Sequence, residues 1–345
     1  MGIIVSLLAV IALIVLVLLG VEVVDLRYLW GVVIPYLAFL TFAAGLVYKM
    51  ISWAKSPVPF RIPSTCGQQK TLPWIKHSKL ENPFTTWQAV RRMILEILLF
   101  RSLFRNTRLE YRKGPKADYA VAPWLWLFSL AFHYSFLTVI IRHLRFFSEP
   151  VPGWVKFIEG LDSLMEIGLP IILISGVVLL GAVTVLFIRR LIIPTVRYIS
   201  LPADFFPLYL IMGIALTGIL MRYFLKTDIV GVKELAMGLV QFRPVVPDSV
   251  GTIFYIHIFL VSCLFAYFPF SKLMHLGGIF LSPTRNLANN NRAVRHINPW
   301  DYPVNVHTYE AYEDEFREKM VEAGLPVDKP LEPAPEDAES PAEEE

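Results

Sequence analysis

Six long apolar segments constrain this chain more than any other feature of its sequence. Each approaches the roughly 20 residues that a helix needs to cross a hydrocarbon core of about 30 Å. A bilayer offers no water to backbone N–H and C=O groups, so segments of this kind fold as helices. With 55% hydrophobic and 18% charged residues, the composition excludes an ordinary soluble domain. We predict an all-α membrane protein with a six-helix transmembrane bundle, its helices at about 3–21, 29–53, 119–146, 165–188, 203–225 and 250–276.

The first segment resembles a secretory signal peptide in position but not in pattern. It lacks a basic region before the apolar run, the run is long, and no small-x-small cleavage site follows it. We therefore expect an uncleaved transmembrane helix.

Basic residues are concentrated between the second and third apolar segments. Residues 49–116 hold 14 Lys and Arg, whereas the loops 147–164 and 226–249 are mixed or acidic. The positive-inside rule then predicts that the loop 54–118 and both chain ends are cytoplasmic, in a multi-pass protein of the inner or plasma membrane.

Two further segments stand outside the six spans. Segment 91–105 is too charged to cross a bilayer; it is expected to form a cytoplasmic amphipathic helix, either in the inner interface or packed on the protein itself. Residues 310–345 contain 14 acidic and 3 basic residues, and the last 20 or so are predicted to be disordered because they are rich in Pro and Glu.

Four of the seven histidines fall in only two of the apolar segments. His133 and His143 lie in the third, and His257 and His275 lie in the sixth. Ionisable side chains at membrane depth are costly and usually mark a cofactor or a charge path. Structural histidines that only form hydrogen bonds between helices remain an alternative.

The predicted topology pairs these histidines. Helix three runs outward and helix six runs inward, so His143 can meet His257 near the outer face and His133 can meet His275 near the inner face. Two stacked pairs fit bis-histidine ligation of two non-covalent b haems, with a single haem as an alternative. Two cysteines and no CxxCH motif exclude c-type attachment and an iron–sulfur cluster held by this chain alone.

The spacings of the two pairs do not match in ideal helices. Ten residues rise about 15 Å and eighteen rise about 27 Å. A kink at Pro269, together with helix tilt, is expected to absorb part of the difference.

The segment FPFSKLMH, residues 268–275, resembles the segment that carries the last haem ligand in the gamma subunit family of respiratory nitrate reductase. The intervals of ten and eighteen residues between histidines are similar as well, and the likeness covers about 119–290. It implies a dihaem cytochrome b core with haem ligands His143 and His257 for the outer iron and His133 and His275 for the inner iron.

Three other segments resemble the DsrM family, the cytochrome b subunits of the sulfite-reduction-associated DsrMKJOP complexes. They are VPFRIPSTCGQQKTLPWI at 58–75, RNLANNNR at 285–292 and HINPWDYPVNVHTYEAYEDEFREKM at 296–320. This likeness implies a quinol-oxidising oxidoreductase subunit that exchanges electrons with menaquinone in sulfite or sulfate metabolism. The implied partners are a cytoplasmic iron–sulfur subunit resembling heterodisulfide reductase, DsrK, and other subunits of such a complex; no nucleic acid is expected.

The apolar runs, the basic loop and the acidic tail divide the chain into four regions. We expect two N-terminal helices in 1–53, a basic cytoplasmic loop with an interfacial helix in 54–118, the dihaem core in 119–281, and a cytoplasmic docking segment with an acidic tail in 282–345.

The resemblance implies a quinone site beside the outer haem, so we expect it near His143 and the outer loop. Arg142, Arg145 and Lys156 are candidate donors to a quinone oxygen, because a cation stabilises developing negative charge there. Lipid headgroups or haem propionates compete for the two arginines. Other open functions are a gamma-type subunit of a nitrate reductase, the cytochrome b of a membrane heterodisulfide reductase, and a transporter or structural subunit without cofactor.

Overall fold

The computed structural model describes residues 2–58, 61–104, 108–112, 116–163, 171–297 and 306–330. Within 105–120 it describes the backbone of the two strands only, and elsewhere in these ranges it describes side chains as well. The chain divides into two compact units, 1–296 and 297–345. The first unit contains six helices that are long and apolar enough to span a membrane. They are α1 (Gly2–Glu22), α2 (Leu29–Lys55), α5 (Pro123–Phe146), α7 (Ile174–Ile192), α9 (Pro202–Phe224) and α11 (Thr252–Phe270, with its last turn 3₁₀).

Shorter elements connect these spans. They are α3 (Thr86–Leu99), α4 (Arg101–Phe104), the strands β1 (Arg108–Arg112) and β2 (Lys116–Ala120), α6 (Gly153–Asp162), α8 (Pro194–Tyr198), α10 (Ile229–Val240), α12 (His275–Leu281) and α13 (Pro283–Asn286). The second unit contains α14 (Tyr309–Glu322). The predicted all-α membrane bundle is confirmed.

Several predicted boundaries differ from the observed ones. The third span begins at Pro123 rather than 119, because residues 116–120 pair with 108–112 in an antiparallel hairpin that the sequence did not suggest. The fourth is described from Ile174, and its predicted start at 165–170 lies outside the described residues. The acidic tail beyond 330 also lies outside them.

The spans pack in a defined order. α5 packs on α7, α7 on α9, and α9 on α1 and α11; α11 also packs on α2. Fully buried Leu210 of α9 and Tyr255 and Leu260 of α11 lie in the central cluster. The N-terminal α1 is part of this bundle, since its Ser6 donates to the carbonyl of Pro202 at 2.9 Å.

The two ends of the bundle differ in charge. At one end, here called the basic end, Lys272 pairs with Asp204 of α9 at 2.6 Å, and the basic segment 54–118 joins α2 to α5. At the other, here called the far end, Thr252 donates to Glu22 and Lys233 pairs with Glu149. The alternation of six spans between two ends follows from these contacts.

The amphipathic helix predicted in 91–105 is present as α3 and α4. Thr85 caps α3 by accepting from the backbone N–H of Gln88 at 3.3 Å. Its charged face is turned inward: Arg92 and Glu96 are buried, and Arg92 donates to the carbonyl of Ser64. Burial, and then the charge of Arg285, lower the pKa of Arg92.

The opposite face of α3 is apolar and exposed. Trp87, Ile94 and Leu98, one or two turns apart, lie 46–68% exposed. A helix that buries charge against its own chain and presents an apolar stripe outward suits the membrane interface. The same helix can therefore pack on the protein with its charged face and lie in the membrane interface with its apolar face.

The second unit is organised around one buried carboxylate. Glu313 of α14 accepts from the backbone N–H groups of Asp328 at 2.8 Å and Lys329 at 2.9 Å. These two bonds, together with Arg317, lower the pKa of Glu313 to about 2. The return segment is thereby fixed against the helix.

Candidate functional site

The four histidines of the membrane segments meet as two pairs. The rings of His143 and His257 have centroids 6.4 Å apart and planes 14° apart. Those of His133 and His275 have centroids 5.9 Å apart and planes 79° apart. The first pair lies toward the far end and the second toward the basic end, because α5 and α11 run antiparallel.

A break in the sixth span brings His275 to its partner. The α-helix ends at Tyr267, and Ser271 is extended, with φ −123° and ψ 176°. Ser271 then accepts from the N–H of Leu273 at 3.2 Å and begins a new turn that leads into α12. The expected bend at Pro269 is therefore a complete interruption, so the 27 Å rise of an unbroken helix does not apply.

The space around the break depends on two close approaches. A Cβ on Gly45 of α2 would lie 2.6 Å from Cβ of Pro269, and a Cβ on Gly277 would lie 2.4 Å from Sδ of Met50. α2 therefore supports Pro269 of the non-helical segment at a distance that only glycine permits at position 45, and it meets Gly277 of α12 through the flexible side chain of Met50.

Three of the histidines donate Nδ1–H to a backbone carbonyl. A carbonyl oxygen only accepts, so Nδ1 carries the proton and Nε2 keeps its lone pair. The contacts are His133 to Ser129 O at 2.7 Å, His143 to Val139 O at 2.7 Å, and His275 to Lys272 O at 2.9 Å.

His257 reaches the same state through a side chain. Its Nδ1 lies 2.9 Å from Oγ1 of Thr217 in α9. That hydroxyl also lies 2.8 Å from the carbonyl of Gly213 and 3.0 Å from that of Ile214, which can only accept its proton. With its proton on one of these carbonyls, the hydroxyl oxygen accepts from Nδ1 of His257, which also has a backbone hydrogen bond to Ile214, and Nε2 is again left as a lone-pair donor.

These features fit the b haems that the sequence pattern suggests. An imidazole nitrogen lies about 2 Å from a metal ion it binds and the ring centre about 1 Å farther, so two rings on opposite sides of one ion have centres about 6 Å apart. The observed separations are 5.9 and 6.4 Å. Within the described residues, no group of three or more His, Cys, Asp or Glu could hold a metal ion. Each pair supplies two imidazole side chains, a ligand type that haem iron takes from proteins.

The two helices that carry the pairs do not pack closely on each other. In the described part of the chain α5 packs mainly on α7 and α6, and α11 on α9, α2 and α1, so α5 and α11 meet through side chains. Gly218 lies beside the far-end pair: a Cβ there would be 3.4 Å from Cε1 of His257. Aromatic rings of Phe132 and Phe146 flank His133 and His143.

Two ion pairs join α5 to α6 at the far end, next to His143. Arg142 donates to Asp162, which also accepts from the N–H and Oγ of Ser175 at 2.6 and 2.7 Å. Arg145 donates to Glu159. Together they hold α6 against α5.

The three residues predicted to contact a quinone therefore differ in burial and in the hydrogen-bond donors that remain without a partner. Arg142 is largely buried, and its Nε has no hydrogen-bond partner in the described structure. Arg145 is partly exposed in its ion pair, and Lys156 is exposed on α6. All three lie at the far end, and their contact with a quinone stays a prediction.

Sequence reasoning did not identify Thr217, Asp162 or Phe100, which contacts His133. Thr217 carried one weak signal, a hydroxyl beside a glycine in a membrane helix. The sequence around Asp162 and Phe100 gave no signal of their roles, because their partners lie on other elements.

The sequence profile of the nitrate reductase gamma subunit family matches residues 86–296. The chain is 45% identical over 280 residues to a protein of Archaeoglobus fulgidus described as an Hdr-like menaquinol oxidoreductase cytochrome b-like subunit, covering 79% of this chain and 83% of the relative. It is 41% identical over 275 residues to a protein of the same description from Archaeoglobus profundus, covering 78% and 81%.

Proposed function

Because this chain belongs to the nitrate reductase gamma subunit family, we propose that it is the membrane cytochrome b subunit of a menaquinol-oxidising complex. It takes electrons from menaquinol near the far end of the bundle and delivers them at the basic end to a cytoplasmic iron–sulfur subunit. Two b haems supply one-electron transfer when bound. Both chain termini are cytoplasmic in this proposal.

The observation that carries the proposal is the arrangement of four Nε2 lone pairs. His143 and His257 would hold the far-end haem, and His133 and His275 would hold the basic-end haem. Every Nδ1 bond fixes both the tautomer and the ring orientation, as metal-binding histidines require. One pair lies beyond the other across the bundle, so electrons have a route from one membrane face to the other.

The chain's own residues at the far end would handle the substrate. Menaquinol releases two electrons and two protons as it becomes menaquinone. Arg142 presents a buried Nε–H near His143 that can donate to a quinone oxygen, and Arg145 and Lys156 are further candidates. Asp162 holds Arg142 in place.

The proposed partners follow from the relatives and from the basic end. Both relatives are described as subunits of Hdr-like oxidoreductases, and we assign this chain to a complex of that kind. The DsrM-like segments favour a DsrMKJOP-type complex of sulfite or sulfate metabolism, with a DsrK-like iron–sulfur subunit. The basic segment 54–118 and the segment 282–345 are the proposed cytoplasmic docking segments, and the N-terminal helices 1–53 and the dihaem core 119–281 are the membrane part.

A second function is favoured by the family match itself. A gamma-type subunit of a nitrate reductase, or the cytochrome b of a membrane heterodisulfide reductase, would keep both haems and change only the cytoplasmic partner. Reoxidation of the reduced haems by the co-purified partner, tested with nitrate and with a disulfide substrate, separates these functions.

The test of the haem proposal is a pyridine haemochrome count with an optical redox titration of the purified membrane protein. We expect two b haems in the parent and one in His275→Ala. His307→Ala, in the second unit, is the control and should keep both. A parent without a Soret band, or an unchanged count in His275→Ala, would refute the assignment.

A further inference from the structure

Phe100 lies in a conformation that its residue type rarely adopts. It follows the last residue of α3 with φ 48° and ψ 44°, the left-handed region. Helices commonly end in this conformation, but with glycine, because a Cβ is crowded there. A bulky residue in this region is an outlier that persists only where its surroundings determine it.

The ring of Phe100 contacts one of the proposed haem ligands. Its centroid lies 4.9 Å from that of His133, with planes 85° apart, an edge-to-face contact. Phe132 approaches the same imidazole at 5.0 Å and 89°. His133 is thus held by two aromatic rings in addition to its bond to Ser129.

Two side chains of α5 fix the end of α3 at this place. The last four carbonyls of a helix have no partner within it. Here Tyr134 donates to the carbonyl of Leu98 at 3.0 Å, and Trp126 Nε1 donates to that of Leu99 at 2.7 Å. Both donors lie on the helix that carries His133. Two hydrogen bonds therefore fix the position of Phe100 relative to His133.

We propose that Phe100 is a positioning residue for His133: it fixes the plane of that imidazole and shields it from water at the basic end. The proposal rests on the function proposed above. It explains why the chain has a phenylalanine where a glycine would meet the backbone requirement. It also connects the cytoplasmic α3 with one histidine pair and not with the other.

Phe104 provides a matched control. It lies on α4, one turn beyond Phe100, and its ring packs edge-to-face on Trp126 at 5.2 Å. It therefore belongs to the same aromatic contact between α3–α4 and α5 but does not touch a histidine in the described contacts. A purely structural role of this region would make the two phenylalanines equivalent.

The test uses the full-length protein with its haems and compares Phe100→Gly, Phe100→Tyr and Phe104→Leu. Glycine suits the left-handed backbone, so Phe100→Gly removes the ring without disturbing the turn. The readouts are the haemochrome count, the midpoint potential of each haem, and the low-spin ferric electron paramagnetic resonance signals. His275→Ala identifies the signal of the basic-end haem.

With Phe100→Gly we expect two haems, a lower midpoint potential and an altered ferric signal for the basic-end haem, and an unchanged far-end haem. Water admitted near the ligand favours the more highly charged ferric state. Loss of the basic-end haem alone would also support the proposal. Phe100→Tyr should restore the parent values, and Phe104→Leu should leave both haems as they are.

Unchanged potentials and signals in Phe100→Gly would overturn the proposal, as would equal effects of Phe100→Gly and Phe104→Leu or equal effects on both haems. These outcomes leave two haems in the parent. A parent without haem would instead refute the proposed function, so the two failures are distinguishable.

Discussion

His143 and His257 face each other from two regular helices, whereas His133 faces a histidine that begins a new helix after a break. The planes of the first pair are 14° apart and those of the second 79°. His257 is oriented by the side chain of Thr217, while His275 is oriented by the backbone carbonyl of Lys272.

The surroundings of the two histidine pairs also differ. At the far end, buried Asp162 and Ser175 form a hydrogen-bonded network with Arg142 next to His143. At the basic end, His275 is exposed within this chain, and α3, a helix outside the six spans, contacts His133 through Phe100. The far-end pair is therefore positioned mainly by regular spanning helices, and the basic-end pair depends on the break in the sixth span and on a helix outside the spans.

We expect the largest difference between the two histidine pairs when one histidine of each pair is replaced in turn and haem reduction by menaquinol is compared. In His275→Ala, menaquinol should still reduce the remaining far-end haem. In His257→Ala, the remaining basic-end haem should no longer be reduced by menaquinol, because the haem nearest the substrate is lost. Stopped-flow absorbance with a menaquinol analogue measures both, and dithionite is the control that reduces any haem present. The reverse pattern would place the substrate at the basic end.

Asp162→Asn should destabilise the far end selectively. It leaves the buried Arg142 without its charged partner, and breaking a buried ion pair costs about 3–5 kcal/mol. We expect a lower Tm and loss of the far-end haem first, measured by thermal scans that follow each haem.

Glu159→Gln is the control for this change. Its partner Arg145 is 41% exposed, and exposed ion pairs contribute only about 0–1 kcal/mol. Equal losses in the two variants would contradict a special role for the buried pair.

A methyl group on Gly45 should disturb only the basic-end pair. Its Cβ would lie 2.6 Å from Pro269 and push the break away from α2, and overpacking of this kind costs about 1–3 kcal/mol. We expect Gly45→Ala to lower occupancy of the basic-end haem in the haemochrome assay.

Gly218→Ala and Gly181→Ala provide graded controls for Gly45→Ala. Their Cβ atoms would lie 3.4 Å from His257 and in open space, respectively. Both variants should retain two haems. If Gly218→Ala lost more haem than Gly45→Ala, the far-end pair would be the more tightly packed one.

The smallest effect is expected from Thr217→Val, which keeps the shape of the side chain and removes the hydroxyl that accepts from His257. Loss of a ligand's outer hydrogen bond typically lowers metal affinity about 10–100-fold. Haem release to apomyoglobin measures the change, which should be confined to the far-end haem.

Thr138→Val is the matched control for Thr217→Val. Its hydroxyl also bonds a carbonyl, that of Tyr134 at 2.9 Å, but it contacts no histidine in the described hydrogen bonds. Equal haem release from both variants would show that His257 does not depend on Thr217.

Much of the architecture was predictable from local patterns. The six spans follow from runs of apolar residues, because a bilayer leaves the backbone no alternative to helix. The positions of His133 and His143 on one span and His257 on an antiparallel one predicted which rings can meet. Family membership was foreseen from FPFSKLMH, whose match lies within residues 86–296.

The sequence by itself therefore determined the spans, their alternation and the four histidines, since these depend on composition and spacing along one helix. Only the tertiary structure decided that the sixth span breaks after Tyr267, that Thr217 orients His257 and that Phe100 reaches His133. Thr217 and His257 are 40 residues apart, and Phe100 and His133 are 33 apart. Contacts of this kind arise from the packing of separate elements, which leaves no periodic signal in either segment.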